Sequence, residues 1–174
     1  MTDEMVHIIQ NCKVGEEQKL RLSTVEQNRD ASLMLVRQAR HTLDIVCRDF
    51  DHALYDNNEF YDAVKLLATS SPKAKIRILI QDSSKAVKQG HRIVELARRL
   101  TSFINIRIQE HQFKEFNEAW LIVDSRAWIR RTFADKYQAE LDCSAARVLK
   151  EIGNVFTGMW NQAKHDPNLR RLSL

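Results

Sequence analysis

Between residues 23 and 108 the apolar residues alternate three times between helical spacing and strand-like runs, and nothing else in the 174-residue chain narrows its fold as far. The first helix is expected from Ser23-Thr24-Val25-Glu26, where a hydroxyl and a carboxylate three residues on can satisfy two orphan amides, to about Arg40. A strand follows over 42–48, where Leu43, Ile45 and Cys47 alternate with Thr42, Asp44 and Arg48 around an apolar Val46. Phe60, Ala63, Val64 and Leu67 form the stripe of a second helix that begins near Asp56 and Glu59 and stops before Pro72. Residues 75–80 read as the next strand, Ile93, Val94, Leu96, Ala97 and Leu100 as a third helix, and 103–108 as a third strand. Strands joined through helices pair in parallel.

The rhythm then changes. Residues 119–123 and 127–133 form a hairpin across Asp124-Ser125-Arg126, a short strand follows over 137–141, and a long helix capped by Ser144 carries Val148, Leu149, Ile152, Val155, Phe156, Met159, Trp160 and Ala163 at helical spacing. The fold class is therefore α/β: a mixed β-sheet flanked by helices on both faces. Residues 1–22 are an N-terminal segment expected to add edge strands at 5–9 and 19–22, and 23–174 form one domain without repeat or linker.

Composition removes several functions. The four glycines and two prolines cannot build a phosphate-cradling loop. Gly153 and Gly158 have P-loop spacing, but Met159 and Trp160 stand where its lysine and hydroxyl belong. Cys12, Cys47 and Cys143 are odd in number, far apart and without histidines at zinc-ligand spacing, so neither a metal nor another cofactor is expected, and a reducing compartment is. The acidic start and the lack of any apolar run of about 18 residues point to a cytoplasmic protein outside membranes. The net charge of +4 permits an anionic partner without requiring one.

The segments Asn117-Glu118-Ala119-Trp120-Leu121-Ile122-Val123-Asp124, Arg131-Thr132-Phe133-Ala134 and Phe156-Thr157-Gly158-Met159-Trp160 carry a resemblance. In element order over 23–163, the chain resembles one repeat of the phospholipase D superfamily, in a bacterial single-repeat branch with a degenerate motif. That family places H-x-K-x4-D on the strand entering the hairpin, then G-S-x-N, and often ends on F-x-x-x-W. Counted back from Asp124, the nucleophilic histidine position is Asn117 and the phosphate-binding lysine position is Ala119. A carboxamide is not a nucleophile and a methyl group neutralises no charge. The glycine and serine positions carry Arg131 and Thr132. Pairing His111 with Lys114 instead gives H-x-x-K, which does not alternate on a strand.

The expected binding set is Asn117, Asp124, Arg131, Thr132, His91 and Arg92, with no catalytic residue. Each has a plainer reading. Asp124 opens a turn that favours Asp for its bonds to nearby amides. Arg131 can grip a phosphate or carboxylate with its fork, or neutralise Asp124 or another carboxylate. Phe156 and Trp160 have core spacing. Lys85, Lys88, His91, Arg92, Arg98 and Arg99 make a basic helix, either solvated or touching an anion. Arg48, Asp49, Asp82 and Asp124 can share a cleft at strand ends.

The leading expectation is a non-catalytic phospholipase D-like domain that binds an anionic small molecule, a phosphate group or a protein partner, with nucleic acid as a weaker possibility. The alternative is a phosphodiesterase or nuclease using His91 or His111. A homodimer is expected, because the family builds one site from two repeats; its contact surface would lie near Asn117 and Asp124.

Overall fold

The computed structural model describes residues 2–144 and 146–170. Its elements are α1 (Thr2–Asn11), β1 (Lys19–Leu22), α2 (Val25–Gln38), β2 (Thr42–Cys47), α3 (His52–Tyr55), α4 (Asn58–Ser70), β3 (Lys75–Ile80), α5 (Ser84–Gln89), α6 (Arg92–Arg99), β4 (Ile104–Ile108), β5 (Ala119–Val123), β6 (Ala127–Arg131), β7 (Ala139–Asp142), α7 (Ala146–Gln162) and α8 (Pro167–Arg170), with a 3-10 turn at His111–Phe113. The strands form one seven-stranded sheet in the order β1-β7-β6-β5-β2-β3-β4. The pairs β2·β3 and β3·β4 are parallel, while β5 joins β2 and β6 antiparallel, as the connections require.

Local chemistry explains most boundaries. Thr24, not Ser23, caps α2: its side chain accepts from the Gln27 N–H at 3.2 Å, while Gln27 Oε1 accepts from the Ser23 N–H at 2.7 Å. The capping box therefore lies one residue later than Ser23–Glu26. Asn57 caps α4 by accepting from Phe60 N–H at 2.9 Å. The expected single basic helix is two, α5 and α6, because Gly90 breaks the chain at φ 73° and the ring of His91 caps α6.

Residues 5–9 are helical, not an edge strand. Met5, Ile9 and Cys12 share a helical spacing, with Ile9 and Cys12 buried and Met5 packed against the core. Residues 19–22 do form the edge strand β1, paired with β7. The start expected at Ser144 adjoins residue 145, outside the described residues.

Two apolar layers enclose the sheet. On one face, α1, α2, α4 and α6 bury Leu35, Leu43, Ile45, Phe60, Ile76, Ile78 and Leu121; on the other, α7 lays Leu149, Ile152, Phe156, Met159 and Trp160 over Val46, Leu79, Trp120, Ile122 and Trp128. Within that second layer lies a charge pair. Asp44 and Arg77 sit directly opposite on β2 and β3, and the guanidinium grips the carboxylate at 2.7 and 2.8 Å. The same guanidinium lies over the Phe156 ring, 4.7 Å from its centre. Arg107 of β4 stacks at 4.3 Å on Trp160 and donates to its carbonyl at 3.0 Å. Burial pushes the Asp44 carboxyl up, partly opposed by Arg77.

Removing one member leaves the other charge buried and unpaired, so Asp44→Ala and Arg77→Leu should each cost about 3–5 kcal/mol in urea unfolding. Asp44→Leu combined with Arg77→Leu should cost less than either single change. Additive losses would show that the two charges do not depend on each other.

Candidate functional site

The carboxyl ends of β2, β3, β4 and β6 and the entry to β5 meet at one end of the sheet. Asn117 lies there, two residues before β5. Its Oδ1 accepts from Arg48 Nη2 at 2.9 Å, and its carbonyl accepts from the Ala134 N–H at 2.7 Å. Ala119 is directly across from Arg131 on the same face of β5 and β6, so the arginine side chain runs beside the alanine methyl. Arg131 is thus a cation borne by the next strand, but it is not free. Its side chain is only 4% exposed, Nη1 lies 3.5 Å from Asp51 Oδ2 and 3.4 Å from the Lys136 carbonyl, and its guanidinium faces the Tyr137 ring at 5.6 Å. The Tyr137 hydroxyl donates to the same Asp51 oxygen at 3.1 Å.

The expected set does not assemble as one site. Asp124 is at the opposite end of β5 from Asn117 and cannot be what Arg131 neutralises; that carboxylate is Asp51. Asp124 and Ser125 take φ values of 52° and 51° in the hairpin turn, and the Asp124 carboxylate accepts from the N–H groups of Arg40, His41 and Thr42 at 2.7–2.8 Å. It ties the hairpin to the start of β2, which is the turn reading extended to a second loop. Thr132 points away from Arg131, exposed in a recess of about 240 Å³ with Arg21, Arg130 and Glu140. Asn117 and Asp124 stand at opposite ends of β5, so a dimer contact near both would run the length of that strand.

His91 and Arg92 lie behind the loop that follows β2. The His91 ring stacks on Phe50 with centres 4.0 Å apart and accepts from the Ile93 N–H at 3.2 Å through Nδ1. It is 2% exposed and out of reach of a substrate. Arg92 pairs with Asp56 at 3.3 Å. Burial likewise pushes the Cys47 thiol up to about 12, which leaves it no nucleophile.

The open space at this end is a cleft of about 510 Å³ lined by Arg48, Gln81, Asp82, Gln109, Glu110, His111 and Lys114. The expected strand-end cleft is present with Arg48 and Asp82 but without Asp124 or Asp49, which pairs with Lys85 at 3.7 Å. His111 and Lys114, which fail as a strand motif, reach it because they sit in and beside a 3-10 turn. Lys164 holds Glu110 at 2.7 Å, whereas Arg48 has no ion pair among the described residues. Sequence reasoning missed Gln109: an uncharged residue one position beyond a strand has no motif. Among the described residues no three His, Cys, Asp or Glu side chains are grouped as a metal ion would need.

Burial holds His91 down to about 4, against the pull of Asp56. The unfolded chain takes up this proton near pH 6.5 and the folded chain only near 4, so His91 should cost stability progressively as pH falls from 6.5 to 4. His91→Asn keeps a cap for α6 and cannot titrate. Its melting temperature should fall less steeply across that window than that of the wild type; equal slopes would remove His91 as the cause.

Comparisons with known proteins agree with this architecture. TrmBL2, an archaeal chromatin protein whose structure shows a novel mode of DNA binding, superimposes with a TM-score of 0.64 at 13% identity, over 94% of this chain and 60% of that one. This chain therefore spans about three fifths of that protein. Nuc of Salmonella typhimurium, a phospholipase D family member, gives 0.59 at 14% identity over 86% and 97% of the two chains. NucT of Helicobacter pylori gives 0.58 at 15% over 87% and 100%. At such identities the likeness establishes a phospholipase D-like fold. No curated protein matches the sequence. Residues 24–172 match one family throughout, and by that match the chain belongs to the family described as Domain of unknown function (DUF7931).

Proposed function

We propose that this chain is a non-catalytic phospholipase D-like domain that binds an anionic ligand in the cleft at the carboxyl end of its sheet. The observation that carries the reading is Arg48. Its guanidinium is exposed at the cleft, is oriented by the neutral carboxamide of Asn117 at 2.9 Å, and has no carboxylate partner among the described residues. A cation held by a neutral group keeps its charge for a ligand, with Lys114 and His111 on the same wall.

The loss of chemistry follows from the residues that replace the motif. With Asn117 at the histidine position and Ala119 at the lysine position, no group there can attack phosphorus. Arg131 cannot stand in, since Asp51 and Tyr137 occupy it. The anion contact expected at Arg131 is therefore reassigned to Arg48. Nucleic acid remains a candidate ligand, supported by the net positive charge and by the fold shared with a DNA-binding chromatin protein.

Inorganic phosphate titrated by calorimetry should bind the wild type, and Arg48→Ala should weaken it about tenfold, the value of one charge-assisted hydrogen bond. A generic phosphodiester should not turn over. Turnover abolished by His111→Ala would establish the enzyme alternative. The same reading expects a homodimer formed near Asn117; a monomer in sedimentation across the micromolar range would end that part of it.

A further inference from the structure

A second recess lies at the other end of the sheet, about 20 Å along β2 from the cleft. Its volume is about 370 Å³, and its lining includes Val14, Arg37, Gln38, Arg40, Asp124 and Arg126. Three arginines from two distant parts of the chain thus open on one space. Arg37 stands in the last turn of α2, where a cation meets the negative end of the helix, and reaches the exposed Glu59 only at 3.9 Å. That helix end gives no reason for Arg126, which follows the hairpin turn between β5 and β6. Neither Arg40 nor Arg126 has a side-chain partner among the described residues, whereas Arg77, Arg92, Arg98, Arg130 and Arg131 are each held by a carboxylate.

The other polar groups of the recess are already engaged. Asp124 accepts on both oxygens from the N–H groups of Arg40, His41 and Thr42 at 2.7–2.8 Å. Gln38 accepts from the Val14 N–H at 2.9 Å and donates to the Cys12 carbonyl at 2.8 Å. Arg126 has a seat made for it: a Cβ on Gly15 would lie 2.7 Å from Nη2, so the guanidinium rests against bare backbone. The Gly15 N–H fixes that backbone by donating to the Cys143 carbonyl at 2.7 Å. The side-chain groups left free are therefore guanidinium donors, and a ligand that meets only donors must present only acceptors, as carboxylates and phosphates do. Three guanidinium charges against one carboxylate leave two positive charges. A phosphomonoester matches them, with close to two negative charges and three acceptor oxygens on one centre, whereas a phosphodiester carries one charge and two free oxygens.

We infer that this recess binds a phosphomonoester dianion on the forks of Arg40 and Arg126, with Arg37 adding charge. The site is separate from the cleft at Arg48 and stands whether or not that cleft binds anions. A phosphorylated small molecule and a phosphorylated serine of a partner protein present the same group.

The test is calorimetry on the full chain carrying Arg48→Ala, which removes the anion contact proposed for the cleft, with methyl phosphate, dimethyl phosphate and a phosphoserine peptide as probes. Methyl phosphate should bind about tenfold or more tightly than dimethyl phosphate. Adding Arg40→Ala or Arg126→Ala should each weaken it about tenfold, the value of one charge-assisted hydrogen bond; both residues are exposed, so these variants should fold. Arg126→Lys, which keeps the charge and loses the fork, should also weaken it. Gly15→Ala, which keeps all three arginines and pushes the Arg126 guanidinium aside, should do the same. A peptide that binds more tightly than methyl phosphate assigns the group to a protein partner, and one that binds no better assigns it to a small molecule. Equal affinity for the two methyl esters, affinity that survives the Arg40 and Arg126 changes, or no binding once Arg48 is removed overturns the proposal.

Discussion

The bidentate grip of Arg77 on Asp44 organises the face of the sheet that α7 covers. It joins β2 to β3 side by side in the sheet, and by lying on Phe156 it seats α7, whose apolar stripe covers that whole face. Arg107 repeats the arrangement one strand further out on Trp160. Two charged side chains inside an apolar layer are tolerable only when each satisfies the other or stacks on a ring, and both conditions are met here. The parallel strands β2 and β3 each lead into a crossover, so the loops after them open at the same end of the sheet.

On the reading proposed above, that end of the sheet carries groups for recognition in place of groups for catalysis. Asn117 accepts from Arg48, and the space beside Ala119 is taken by Arg131 from the neighbouring strand, paired with Asp51. Asp124 works at the far end as a clasp on three consecutive amides. The cleft beside Asn117 is lined by Arg48, His111 and Lys114.

Most of the fold could be read from spacing alone. Alternating helices and strands up to Ile108, then the hairpin and the long apolar helix, sufficed for a mixed sheet covered on both faces, because period and order decide which faces are buried and which strands run parallel. The errors were local. Met5, Ile9 and Cys12 fit a helix as well as a strand, and only contact with α2 and the core selects the helix. Gly90 interrupts what reads as one basic helix, since helical spacing on either side hides a two-residue break.

The candidate site was legible only in part. The sequence alone established the absence of a histidine and a lysine at positions 117 and 119 and the proximity of Arg131 to them, because those facts follow from counting along one hairpin. It could not reveal that Asp51 rather than Asp124 meets Arg131, or that His91 is closed beneath Phe50. Arg48, Gln109, His111 and Lys114 come from separate strand ends and a 3-10 turn, with no common spacing between them. They share a cleft only because the parallel strands β2, β3 and β4 end at one level of the sheet, and that meeting is made by packing across distant segments rather than by any local pattern.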